Sequence, residues 1–300
     1  MWFRNLRAYR LPNRLGLSAE DLEQRLSSRP FVSCRPAQPL STGWVGALAD
    51  NTEALVHSAG PFWLLRLQRE EKLLPASVVR EEVNDRVLQI QQAQGRKVYR
   101  KEKLTITDEV TQDLMPRAFT RRKAVEALIS DRDGWLWVNN SSAPRAEDLL
   151  GALREAIGSL PAVLPDTQKS PAQVMSHWLM HGGLPEGFAL GTEADLADPA
   201  EGGGLVRARD MMLDTDEIRS HLESGKLVQR LALSWDERLT FVLDTDLTIR
   251  RLKFGEALVD ANNDIEDDPL ARRDADFLLM SEAISELQTQ LLQAFGGIAE

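Results

Sequence analysis

Cys34 is the only cysteine in 300 residues, which excludes an intramolecular disulfide and a metal site built from thiolates alone. No apolar stretch approaches the roughly 20 residues that span a bilayer. The opening MWFRNLRAYR lacks the uninterrupted apolar core of a secretory signal, so cytoplasmic residence is expected. Positive charge is in deficit: 36 Lys and Arg face 46 Asp and Glu, a net of −10. Enzyme signatures are missing as well. The phosphate-binding spacing G-x-x-x-x-G-K-[ST] fails, because Leu227 follows Gly225-Lys226 and Ser220 stands where the first glycine belongs. Neither a G-x-S-x-G elbow nor a G-x-G-x-x-G fingerprint occurs.

What is present is a lopsided charge distribution. Residues 1–130 carry 21 Lys and Arg against 15 Asp and Glu, a net of +6; residues 131–300 carry 15 against 31, a net of −16. Within residues 96–123 nine basic residues (Arg96, Lys97, Arg100, Lys101, Lys103, Arg117, Arg121, Arg122 and Lys123) oppose four acidic ones. A polyanion responds to the local field of a surface and not to the charge summed over the molecule. One face of this chain can therefore hold nucleic acid while the acidic remainder keeps it soluble.

The hydrophobic content of 43% suffices for a substantial core divided among subdomains. Residues 2–11 alternate and read as a strand. Ser18 and Asp21 have capping-box spacing, with Leu17 and Leu22 placed as a hydrophobic staple. Strands are expected at 43–48 and 62–67. Pro75 opens a helix whose stripe is Val79, Val83, Val87 and Ile90. A second short helix spans 107–114 and ends at Pro116. Two strand-like runs at 124–139 flank the turn Asp131-Arg132-Asp133-Gly134, and Leu149, Leu150, Leu153 and Ile157 mark a helix closed by Gly158.

Residues 161–204 are rich in Pro and Gly, hold a helix at 171–180 and read as a connection. The order of the first seventy residues then echoes: a strand at 205–209, a helix at 214–224, strands at 227–234, 239–243 and 248–254. A long helix at 274–295 closes the chain before Gly296-Gly297. Without regular βαβ alternation the class is α+β, mixing helices with antiparallel sheets. The expected divisions are 1–160 with a basic helical insertion at about 75–116, the connection 161–204, and 205–300.

Metal chemistry has weak candidates. His177 and His181 sit four apart on a helix but lack the Glu of H-E-x-x-H and any further ligand. Asp260, Asn262, Asp264 and Glu266 imitate half a calcium loop, but Ile265 holds the position that needs glycine and Ala271 stands where a bidentate Glu belongs. With Asp267 and Asp268 this reads as a solvated acidic loop. Asp244 and Asp246 lie in a hairpin turn, where Asp has a backbone role. They and the loop 264–268 supply the alternative reading, a metal-dependent nuclease. The seven tryptophans are scattered and fit core packing better than a stacking platform. Phe119, between Arg117 and Arg121, reads as a local anchor or a protein–protein contact.

The segments MWFRNLRAYRL, EEKLLPASVV, DEVTQDLMPRAF, AEDLLGALREAIGSLP, ESGKLVQRLALSW, RRLKF and DADFLLM closely resemble the RdgC family of bacterial recombination-associated proteins, in the right order over nearly the whole chain. The resemblance implies a nucleoid-associated protein that binds double-stranded DNA with little sequence preference. It implies a ring-shaped homodimer with a basic central hole, restraint of RecA-promoted strand exchange, no catalysis and no cofactor. By the same resemblance Lys97, Lys101, Arg117, Lys226, Arg251 and Lys253 fall on the lining, with Arg209 and Arg250 beside them, and Phe119 lies at a dimer contact. Some family members carry a basic residue where this chain has Asp210, which makes that part of the lining less basic.

Overall fold

A computed structural model describes residues 2–49, 52–200, 203–263, 265 and 268–299. The first half builds one antiparallel sheet. Its strands are β1 (Arg7–Arg10), β2 (Leu40–Val45), β3 (Val56–Ala59), β4 (Phe62–Leu73), β5 (Phe119–Ser130) and β6 (Trp135–Val138). They lie in the order β1-β6-β5-β4-β2, with β3 pairing the other end of β4. Alternation along the strands sorts two faces. Leu64, Leu128 and Trp137 point into the main core. Leu65, Leu67, Ala127, Ile129, Leu136 and Val138 point the other way, into a second core under α1 (Ala19–Leu26) and α4 (Ala143–Ile157). The capping box forms: the Ser18 hydroxyl accepts from the Asp21 backbone N–H, and the Asp21 carboxylate accepts from the Ser18 N–H.

The second sheet contains β7 (Phe188–Ala197), β8 (Leu205–Ala208), β9 (Leu227–Trp235), β10 (Leu239–Asp244) and β11 (Ile249–Phe254), ordered β11-β10-β9-β7-β8. Helices α5 (Pro171–His181) and α6 (Asp216–Glu223) accompany it, and the short α7 (Glu256–Val259) follows β11. The 26-residue α8 (Pro269–Ala294) starts at an Asp268 N-cap, earlier than its apolar stripe begins. Phe277, Met280, Ile284, Leu287 and Leu291 on α8 follow a 3-4 spacing and join both sheets in the main core. Every ladder between these strands is antiparallel, so the chain is α+β.

The N-terminal segment ties the two sheets together. Arg7–Arg10 pair with β6, while Leu6 exchanges both backbone hydrogen bonds with Ile249 (2.8 and 2.9 Å) and Arg4 accepts from Leu252 (2.8 Å). The echo in element order does not reach strand pairing. β1 lies beside β6, the last strand of its meander, whereas β8 pairs with β7, which separates it from β9, the first strand of its own. β3 and β7 are strands that the periodicity did not mark. β7 lies within the expected connection 161–204 and is an interior strand of the second sheet, between β9 and β8.

The ribbon β4–β5 is the longest pairing, twelve residues a side from Phe62↔Ser130 to Leu73↔Phe119. Its near half is buried in the cores; from Phe119 to Lys123 the far half of β5 is exposed. Between the two strands the chain makes a helical hairpin of α2 (Ala76–Gln94), α3 (Arg100–Leu114) and a 3-10 turn (Met115–Arg117). Val83, Ile106 and Val110 form a small separate core there, with Val79, Val87, Ile90, Val98 and Leu114 packed around it. Gly95 ends α2 in the left-handed conformation, φ +61°, which a residue with a Cβ adopts only at a cost.

Candidate nucleic-acid interface

The nine basic residues of 96–123 all fall on this hairpin and the ribbon beneath it. Arg96 and Lys97 occupy the turn between helices, Arg100, Lys101 and Lys103 the start of α3, Arg117 the 3-10 turn, and Arg121, Arg122 and Lys123 the far half of β5. All nine are exposed, but they are not equally available. Arg96 is held by Glu102 through two 2.7 Å contacts and donates to Gln94; Glu102 raises its pKa further. Lys103 donates to Asn84 (3.2 Å). Arg121 grips Glu71 and Arg122 grips Glu70 (2.8 Å) as direct cross-strand neighbours. Lys97, Arg100, Lys101, Arg117 and Lys123 make no ion pair with any described residue, so their charge faces solvent.

Glu70 explains why the polar end of the ribbon stays ordered. Its side chain is 2% exposed, beneath residues 31–34. It accepts from the Cys34 backbone N–H and from Arg122, and these two hold its carboxyl below the usual range. Arg122 also donates to Ser33 Oγ (2.8 Å) and lies over the Phe31 ring. A depressed folded pKa contributes stability above the unfolded value, roughly 4.3, and loses it as pH falls through the folded value. Glu70→Gln should therefore cost about 1.5–3 kcal/mol at neutral pH, with the gap to wild type closing below about pH 4. Urea unfolding at stepped pH measures this; a gap constant with pH would count against the assignment.

The second basic set lies on the face of the second sheet turned away from the main core. There a cleft of 330 Å³ is lined by Glu193, Asp195, Arg209, Arg230, Arg250 and Arg251, with Asn5, Ser141, Ala194 and Val242. It shares Glu193, Val242 and Arg251 with a neighbouring 250 Å³ cleft that reaches Lys253. The register of β10 and β11 shifts between Thr240 and Val242, and Arg251 takes φ +51° there. Such an irregularity re-aims side chains, which lets Arg250 and Arg251, adjacent in sequence, both line the cleft.

These arginines are clamped. Arg209 meets Asp195 (2.5 Å) and Glu193 (3.5 Å), Arg250 meets Asp244 (2.6 Å), and Arg251 holds Glu193 through both oxygens (3.0 and 2.5 Å). Arg251 keeps the Glu193 carboxyl below its ordinary pKa. Lys226 is half-buried and donates to Ser224 (3.2 Å). Lys253 is exposed and makes no ion pair with any described residue. Glu193 raises the pKa of Arg251 through its hydrogen bond and its charge, with smaller contributions from the charges of Asp195 and Asp210. Arg230, which bridges Asp195 (3.6 Å) and Asp244 (3.0 Å), was not singled out by its sequence. The signal was available: alternation in LVQRLALSW puts Arg230 on the face opposite Leu231, Leu233 and Trp235.

Asp244 and Asp246 do not point together at an open site. Asp244 is held by Arg230 and Arg250, and Asp246 by Arg7 (3.1 Å) and the Thr248 N–H. Burial pushes the Asp246 carboxyl up, but Thr248 and Arg7 outweigh it and leave its pKa lowered. Asp264, Glu266 and Asp267 lie outside the described residues. His177 and His181 are exposed with ring centroids 4.9 Å apart. Among the described residues no group of three or more His, Cys, Asp or Glu could hold a metal ion. No described helix is long and apolar enough to cross a membrane.

Phe119 starts β5, opposite Leu73 on β4. It is 84% exposed and Leu73 40%. Leu74, which follows Leu73, and Met115, four residues before Phe119, line a groove of 540 Å³ between α2 and α3 whose other walls include Ala76, Val79 and Val83. An aromatic standing in solvent beside an apolar groove is the composition of a protein contact.

The family model described as "Putative exonuclease, RdgC" matches residues 1–298. A protein of Proteus mirabilis (strain HI4320) named "Recombination-associated protein RdgC" is 40% identical over 301 residues, covering all of both chains. One of the same name from Yersinia pestis (strain Pestoides F) is 39% identical over 302 residues, covering all of this chain and 99% of that one.

Proposed function

The chain belongs to the RdgC family of recombination-associated proteins, and from there we propose that it binds double-stranded DNA through phosphates, without sequence preference and without catalysis. The observation that carries this reading is the separation of charge. Lys97, Arg100, Lys101, Arg117 and Lys123 stand without an ion pair to any described residue on a hairpin and ribbon of a protein whose net charge is −10. Cations that read phosphates position a protein on duplex and leave base edges alone. Incubation with supercoiled plasmid and magnesium tests the non-catalytic reading: the plasmid should shift in a gel and remain uncut. The word exonuclease in the family's description makes that control necessary, although Asp244 and Asp246 would have to give up arginine partners to bind a metal.

Two copies closing around the duplex would place these cations on an inner wall and confine the protein to the nucleoid. A two-fold dimer that encloses DNA needs two separate contacts, and Phe119 with its neighbouring groove suits one of them. Phe119→Ser should leave a dimer in solution, because the other contact persists. A buried interfacial aromatic is worth about 2 kcal/mol or more, so release from free-ended duplex should accelerate roughly tenfold or more. Dissociation from end-blocked and free-ended duplexes tests encirclement. If wild type leaves both at one rate, the DNA is not enclosed. Occupied duplex would be closed to RecA, so strand exchange should fall as coverage rises, and a variant that cannot bind DNA should not inhibit it.

A further inference from the structure

We propose that Tyr99, at the tip of the helical hairpin, is a stacking platform for unpaired bases, so that the tip takes single-stranded DNA by a contact that duplex does not use. The inference rests on the DNA-binding reading above and adds to it a second ligand form and the residue that recognises it. Tyr99 is 74% exposed, and the only other tyrosine, Tyr9, is 2% exposed and bonded to Glu147. Among the described residues the Tyr99 ring has no aromatic or cation–π partner and its hydroxyl no hydrogen bond. A large ring left this free on an ordered element invites a ligand with a flat apolar face.

The turn that presents the ring is anchored on both sides. Gly95 closes α2, Arg96 is pinned to Glu102, and Val98 is packed into the hairpin's core. Tyr99 itself is extended, φ −93° and ψ 167°, at the entry to α3. In extended chain neighbouring side chains alternate, so with Val98 turned inward Lys97 and Tyr99 are both directed outward. Arg100 and Lys101 follow at once, so three cations without ion partners among the described residues lie within two positions of the ring.

The flanking charge decides which kind of ligand fits. Lys is depleted at protein–protein interfaces, and Phe119, with Leu73 opposite and an apolar groove alongside, shows how different a protein-type patch on this molecule is. Aromatic rings interleaved with cations instead match a strand whose phosphates run past while its bases splay out. Paired bases in duplex are already stacked on each other and present no free face, so the ring contributes to single strands and little to duplex.

The test measures affinity of wild type, Tyr99→Ala and Tyr99→Phe for a single strand of mixed sequence and for the matching duplex. One stacked base is worth about 1–3 kcal/mol, so Tyr99→Ala should weaken single-strand binding at least roughly fivefold and duplex binding by less than about twofold. Tyr99→Phe should retain both, since the face and not the hydroxyl stacks. Fluorescence of 2-aminopurine in the single strand should respond to wild type and not to Tyr99→Ala. Equal losses on both DNA forms, no loss on either, or failure of Tyr99→Phe would each overturn stacking. A change in the solution mass of Tyr99→Ala would reassign the ring to a protein contact. If wild type binds neither form, the DNA-binding reading itself falls; if wild type binds both and Tyr99→Ala is unchanged, only the stacking falls.

Discussion

Raising the salt from about 50 to about 200 mM should weaken duplex binding by roughly a thousandfold or more. Each phosphate neutralised releases counterion, so log affinity falls with log salt by about 0.9 per contact. Lys97, Arg100, Lys101, Arg117, Lys123 and Lys253 are the cations proposed for DNA whose side chains make neither an ion pair nor a hydrogen bond with another described residue. Six contacts give a slope of about −5 for each protomer in contact. Arg96, Arg121, Arg122, Arg209, Arg250 and Arg251 already neutralise carboxylates, and an ion that keeps its protein partner releases no counterion from DNA. If all twelve engaged phosphate the slope would about double. Titrations across salt, normalised to the protomers bound, separate the two cases, and unrelated duplexes of equal length should agree within a few-fold. A shallow slope, or strong preference for one sequence, would remove phosphate reading as the basis of binding.

Much of the fold was legible because local signals agreed with the global outcome. Ser18 and Asp21 cap α1 as their spacing requires, and Val79, Val83, Val87 and Ile90 do face the small hairpin core. The missed elements are those whose order comes from distant partners. α3 starts seven residues before the expected 107 because Arg100 to Leu104 carry no apolar periodicity; the helix is held by Ile106 and Val110 packing on α2. Residues 119–123 carry no strand pattern because Glu70 and Glu71, opposite on β4, supply the pairing. β7 was obscured by Gly191 and its acids, yet Gly191 is needed: a Cβ there would lie 2.8 Å from that of Ala232.

The site divided along the same line. Sequence shows the sign of a side chain but not its partner, and the partners here are far off: Glu70 is 52 positions from Arg122, and Glu193 is 58 from Arg251. Fourteen basic positions therefore looked alike in the sequence, and the structure distinguishes free cations from clamped ones. No local pattern could have made that distinction.

It leads to opposite expectations for two kinds of charge change. Lys97→Glu with Lys101→Glu removes from the tip two cations that no described residue pairs, and adds two anions. One counterion-releasing contact is worth about 0.9 decade between about 1 M and about 0.1 M salt, so two lost contacts alone weaken binding by about 60-fold at the lower salt. Repulsion from the new carboxylates, repeated in a second protomer, should bring the loss above roughly 100-fold, alike for every sequence. Glu193→Gln works in the other direction. It abolishes the charge that pins Arg251 and helps hold Arg209, so duplex affinity should rise and the salt slope should steepen by about 1 as Arg251 becomes available. His177→Ala with His181→Ala should leave both quantities unchanged. Filter binding or anisotropy at several salt concentrations reads all three. A tip reversal without effect would place the interface elsewhere, and a weakened Glu193→Gln would mean that the carboxylate orients Arg251 toward DNA and does not compete for it.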